Sequence, residues 1–258
     1  MNSASSQDIP RKVAASQGLQ WIAEGFRLYR KNPLLLSAAF GALFGVVMAL
    51  GLVPVIGGSL SELASPLMVA GFMAAYRMID SGGDLELPHF LAGVRGPLVA
   101  LMTVGGVQLL ASLAIFQIML GMGFDPEAVR EAMQPQKDPQ AAEAVLRDAM
   151  PAVLTGLALF VPVIMATWFA PALILFGGAR PATALAVSLK ALARNWTAMI
   201  VNIFAMGLIL FVAALVPLLL GLLVAMPVLF GAVYAGYQSL FAVWDEATSS
   251  PQAGDNLA

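Results

Sequence analysis

The chain has no cysteine and one histidine. The first absence removes disulfides, thiolate metal ligands, a cysteine nucleophile, palmitoylation and a lipoprotein anchor. The second leaves little from which to build a proton relay or a metal site. Charge is scarce as well: 11% of residues are charged, and a net charge of −2 offers nothing to a nucleic-acid partner. No His-Glu-x-x-His, Gly-x-Ser-x-Gly, phosphate-cradling glycine loop or EF-hand spacing occurs. These absences argue against an enzyme, a bound metal and a cofactor.

What remains is apolar. Hydrophobic residues make up 60% of the chain, and mean hydropathy is +0.85. The apolar runs have the length of bilayer spans, about 20 residues. The pattern predicts an all-α membrane protein with six transmembrane helices: 33–53, 60–79, 97–122, 151–176, and two more sharing 197–244 around a turn at 217–221. A single transmembrane domain, 17–244, is expected between a disordered segment, 1–16, and a polar tail, 245–258. Segment 1–16 lacks the apolar core of a signal peptide.

Two stretches read as basic amphipathic helices, 17–31 and 181–194. In the first, Leu19, Ile22, Phe26 and Tyr29 form an apolar stripe opposite Gln20, Glu24, Arg27 and Lys31. Such a helix is expected to lie on the membrane surface. A shift of 163 places Arg27 and Lys31 on Lys190 and Arg194, Asn32 on Asn195, and Pro54 on Pro217. After a two-residue deletion, Pro66 and Tyr76 meet Pro227 and Tyr237. The chain therefore reads as a repeat, 17–80 and 180–244. A weaker middle unit, 88–176, has Phe90, Arg95 and Pro97 echoing Phe26, Lys31 and Pro33. Each unit crosses an even number of times, so the copies are parallel in the membrane rather than inverted.

Basic residues orient the bundle. Arg11, Lys12, Arg27, Arg30, Lys31, Arg77, Arg95, Arg180, Lys190 and Arg194 fall on one side, against Arg130, Lys137 and Arg147 on the other. The positive-inside rule then puts both termini in the cytoplasm.

The pattern Gly18-x-x-Trp21-x-x-x-Gly25-Phe26-x-x-Tyr29-x-Lys31-x-Pro33, with Gly71-Phe72-Met73-Ala74-Ala75, resembles an uncharacterised family of proteobacterial polytopic inner-membrane proteins. The resemblance implies a bacterial inner membrane. It brings no assigned activity and no functional residues.

Among individual residues, Arg27, Arg30, Lys31, Lys190 and Arg194 are placed to contact anionic lipid headgroups or a membrane-protein partner. Glu62 is the one acid inside a span, which makes it the candidate for a transport role. It also reads as the end of a capping box beginning at Ser59. His89, near Asp84 and Glu86, reads as a solvated loop histidine. Gln108, Gln117 and Asn202 are expected to hydrogen-bond between helices. Gly41 with Gly45, and Gly231 with Ala235, permit close helix approach. Asp125-Pro126 and Asp138-Pro139 each start a helix, suggesting an acidic helical hairpin on the outer side. Two functional readings stay open: a non-enzymatic scaffold or regulator acting by lipid or protein contact, and a small-solute or lipid transporter or channel.

Overall fold

The structure is a computed structural model that describes residues 10–54, 56–134, 138–217 and 220–249, with side chains described to 241. Lys137, the turn residues 218–219 and most of the expected C-terminal tail lie outside it. Helices follow one another as α1 (Gln17–Tyr29), α2 (Pro33–Gly51) and α3 (Gly57–Asp80). A 3-10 turn (Leu87–Leu91) then runs into α4 (Ala92–Arg95) and α5 (Leu98–Gly121). Next come α6 (Pro126–Ala132), α7 (Pro139–Thr167), α8 (Ala170–Gly177), α9 (Pro181–Arg194), α10 (Trp196–Ala214) and α11 (Leu222–Ser249). No strand occurs among the described residues.

Five of these segments are long and apolar enough to cross a membrane: α2, α5, α7 with α8, α10, and α11 to Phe241. Their uncovered surfaces are Leu, Val, Ile and Phe, as at Leu34, Val99, Leu110, Leu157 and Phe204. The expected second span, α3, has the length but is not among the five. Its first turns carry Ser59, Ser61, Glu62 and Ser65. The physical reason is its place. It packs against α2, α5, α8, α11, the 3-10 turn and α4, and Ala70, Phe72, Met73, Ala75 and Tyr76 are wholly buried. A helix ringed by protein does not need the hydropathy of one facing lipid.

Several local expectations shift. Helix α3 begins at Gly57 with no side-chain cap, so the capping box from Ser59 to Glu62 does not form. Asp125 does cap α6, accepting from the amides of Glu127 and Ala128, and Asp138 caps α7 through Gln140. Helix α7 then continues through Pro151 into the span, so the second arm of the expected hairpin is the extended start of a crossing. Helix α11 runs on to Ser249, past the expected tail boundary. Residues 11–13, expected to be disordered, are held in place. The Asn195 side chain accepts from the Val13 amide at 2.8 Å and donates to the Arg11 carbonyl at 3.0 Å, and the Arg11 amide donates to the Leu240 carbonyl.

The packing has a recurring logic. The 3-10 turn and α4 dock on α3, the helix before them, and α9 docks on α7 and α8. Helix α1 has no hairpin before it and docks instead on the last one, α10 and α11. Helices α3, α8 and α11 pack mutually at the centre. Between successive hairpins, α3 packs on α5 and α11 on α2, whereas α7 and α10 make little direct contact.

Candidate functional site

Helix α1 meets the protein largely through a face other than its apolar stripe. The buried residues are Gly18, Trp21, Gly25, Leu28 and Tyr29, while Leu19 and Phe26 are 55% and 47% exposed. The glycines explain the choice. A Cβ on Gly25 would lie 2.6 Å from the Val228 carbonyl oxygen, and one on Gly18 would lie 2.8 Å from the Asn202 amide nitrogen. Helix α1 therefore seats its backbone directly on α10 and α11. The Trp21 indole N–H donates to Ser239 Oγ at 2.8 Å, and Asn202 Nδ2 donates to the Gly18 carbonyl at 3.0 Å. Asn202 thus joins helices as expected, with α1 as its partner.

The C-terminal end of α1 meets that of α3. Arg27 pairs with Glu24, Nε to Oε2 at 2.8 Å, and lies 3.7 Å from Asp80. The hydrogen bond from Arg27 holds the Glu24 carboxyl below its usual range, and Glu24 raises the Arg27 guanidinium in turn. Lys31 Nζ donates to the Ile79 carbonyl at 3.2 Å, satisfying an end-of-helix acceptor with a cation where the α3 dipole favours one. Asp80 also accepts from the Tyr234 hydroxyl at 3.1 Å, and Gln238 donates to that hydroxyl at 2.7 Å. One polar cluster therefore ties α1, α3 and α11.

The five basic residues singled out from the sequence consequently divide. Arg27 and Lys31 are exposed but already bonded by neighbouring groups, Arg27 to Glu24 and Lys31 to the Ile79 carbonyl. Arg30 is exposed, its guanidinium 5.9 Å from the Phe26 ring centre. Lys190 and Arg194 are exposed on α9 and pair with no acid among the described residues. Ala23, Phe26 and the three basic residues of 27–31 border a hollow of about 390 Å³. Helix α9 buries Ala184, Ser188, Ala191 and Leu192. The Ser188 hydroxyl donates to the Met165 carbonyl at 2.7 Å and accepts from the Phe169 amide at 3.1 Å, bridging the break between α7 and α8.

Glu62 faces α5 instead of capping α3. Its Oε1 accepts from the Ser112 hydroxyl at 3.0 Å, and its Oε2 is buried without a partner. His89 is half-buried, and its Nδ1 accepts from the Glu86 amide at 3.0 Å, capping the 3-10 turn. Gln117 is exposed on α5.

Gln108 lines a feature with no local signature in the sequence: a cleft of about 570 Å³ at the poorly packed seam between α7 and α10. Residues of α3, α5, α7, α8, α10 and α11 form its walls, almost all apolar. Its lining brings together Pro66 and Phe230, far apart in the chain. Gln108, expected from the sequence to hydrogen-bond between helices, instead has no hydrogen-bond partner among the described residues.

Over 95% of its length the chain is 30% identical to a protein of Burkholderia thailandensis described as a probable inner membrane protein, covering 98% of that protein. The chain belongs to this family of proteobacterial inner-membrane proteins. No family model matches it, and no solved structure does. Membership in the family and the five apolar helices make this a multi-pass inner-membrane protein.

Proposed function

We propose that this protein is a non-enzymatic scaffold or regulator of the inner membrane that acts by holding anionic lipid at its cytoplasmic face. The carrying observation is that Arg30, Lys190 and Arg194 are exposed and pair with no acid among the described residues, while Arg27 and Lys31 are already engaged by the protein. Uncompensated cations at helix ends attract anionic headgroups by about 1 kcal/mol each.

The topology that goes with this reading has six crossings, with α3 as the sixth, and both termini cytoplasmic. Three units build it, each an interfacial element followed by a hairpin: α1 to α3, the 3-10 turn to α8, and α9 to α11. Support comes from burial. Trp21, Gly25, Leu28 and Tyr29 are buried in α1, and Ala184, Ser188, Ala191 and Leu192, each 163 residues later, are buried in α9. Both helices are amphipathic elements of the cytoplasmic surface, and Asn195 links them through residues 11–13.

The test is native mass spectrometry of protein reconstituted with phosphatidylglycerol and phosphatidylethanolamine. The triple variant Arg30→Gln, Lys190→Gln, Arg194→Gln should retain at least threefold less phosphatidylglycerol at unchanged thermal stability. Equal retention would reject the proposal. The transporter or channel reading finds support only in the lateral cleft, whose apolar walls suit a bilayer-soluble molecule better than a polar solute.

A further inference from the structure

The cleft between α7 and α10 lies where the other two hairpin seams are closed. At the α3–α5 seam, a Cβ on Gly105 would come within 2.9 Å of Leu63 Cα. At the open seam, a Cβ on Gly207 would meet nothing within 4 Å.

The polar groups in its walls differ in what they bond. The Ser65 hydroxyl donates to the Glu62 carbonyl at 3.2 Å, and the Thr167 hydroxyl to the Val163 carbonyl at 3.0 Å. Gln108 and Trp168 line the same cleft, and neither side chain has a hydrogen-bond partner among the described residues. In hydrocarbon an unpartnered donor is costly, so each calls for an acceptor.

Depth narrows the acceptor. Gln108 lies about 15 Å and about 20 Å from the two ends of α5, at about 1.5 Å per residue, which is close to the bilayer midplane. The ester oxygens of a glycerolipid sit at the edge of a hydrocarbon core about 30 Å thick, roughly 15 Å away. At the midplane such a lipid presents only methylene and methyl groups. Two donors on separate helices are best met by one rigid molecule carrying two acceptors.

We propose that the cleft is a lateral binding site for a bilayer-soluble carbonyl compound of the quinone class. It enters between α7 and α10. Its ring carbonyls accept from Gln108 and Trp168, and its apolar chain runs past Ile203 toward the lipid. The cleft volume falls within the range of small-molecule sites, about 300–1,000 Å³.

The test uses the full chain in nanodiscs of phosphatidylethanolamine and phosphatidylglycerol, titrated with decylubiquinone while tryptophan fluorescence is read. Wild type should show a saturable quenching component that is missing in Trp168→Phe, which keeps the other three tryptophans. Gly207→Leu grows into the empty space and should abolish that component at an unchanged melting temperature. Gln108→Leu should weaken the apparent affinity about tenfold. If Gly207→Leu fails to fold, Ile203→Trp with Trp168 kept, read by quinone co-purification, fills the same space and should lose the quinone. Quenching that rises linearly in all variants would overturn the proposal. So would a glycerophospholipid that co-purifies with wild type, is lost in Gly207→Leu and is not displaced by decylubiquinone.

Discussion

Gly25 of α1 and Gly231 of α11 lie backbone against backbone: a Cβ on Gly231 would stand 2.8 Å from Gly25 Cα. Nothing larger than hydrogen fits between them, so the contact is one of shape and not of hydrophobicity. Lipid tails are as apolar as leucine, and helices in a bilayer gain by packing closely where small residues allow it.

Replacing Gly25 by Leu should therefore undock α1. Overpacking a close contact costs about 1–3 kcal/mol, read as a lower melting temperature in detergent together with new proteolytic cuts between residues 10 and 31. Gly45→Ala, where a Cβ meets nothing within 4 Å, should leave both unchanged. Equal behaviour of the two variants would show that the α1–α11 contact is dispensable.

Ser188 performs for α9 what a glycine performs for α1, by a different means. Ser188→Ala leaves the Phe169 amide without its side-chain acceptor at a helix break, which should cost about 1–3 kcal/mol. Ser188→Thr keeps the hydroxyl but adds a methyl at a fully buried site, so it should also destabilise. A thermal scan showing no loss in the alanine variant would mean the break is held by packing alone.

Asn195 gathers three bonds, from the Val13 amide and to the Arg11 and Ala191 carbonyls. In Asn195→Ala the N-terminal segment should come free, and brief trypsin treatment should cut after Arg11 or Lys12 at least fivefold faster. Unchanged cleavage would assign the ordering of that segment to its Leu240 contact.

The Glu24–Arg27 pair carries a pH dependence of known sign. The folded carboxyl titrates below its ordinary value of 4.5, so its contribution is complete above that value and is lost as pH falls through the lowered one. Arg27 is 53% exposed, so the effect is well under 1 kcal/mol and shrinks with salt. At low ionic strength, the wild-type melting temperature should fall slightly more than that of Glu24→Gln on acidification below pH 4.5. Parallel curves would show the pair contributes nothing.

Much of this architecture was legible in the residue order. Five of the six expected spans, the Asp125 and Asp138 caps and the helical character of 17–31 and 181–194 follow from local periodicity and end signals, and the structure has them. Four of the five buried positions of α1 have a buried counterpart 163 residues later in α9. The face that α1 buries was not legible. Leu19, Ile22 and Phe26 are as apolar as Trp21 and Leu28, and hydropathy does not distinguish a surface that meets protein from one that meets lipid.

Composition and periodicity, both local properties, are enough to make this chain a helical membrane protein and to mark where most helices begin and end. The seating of α1 on the last hairpin and the central place of α3 with its polar first turns arise from contacts across most of the chain. The same holds for the cleft beside Gln108. Such contacts depend on which small residues let two backbones approach, and that shape matching exists only once the helices are assembled.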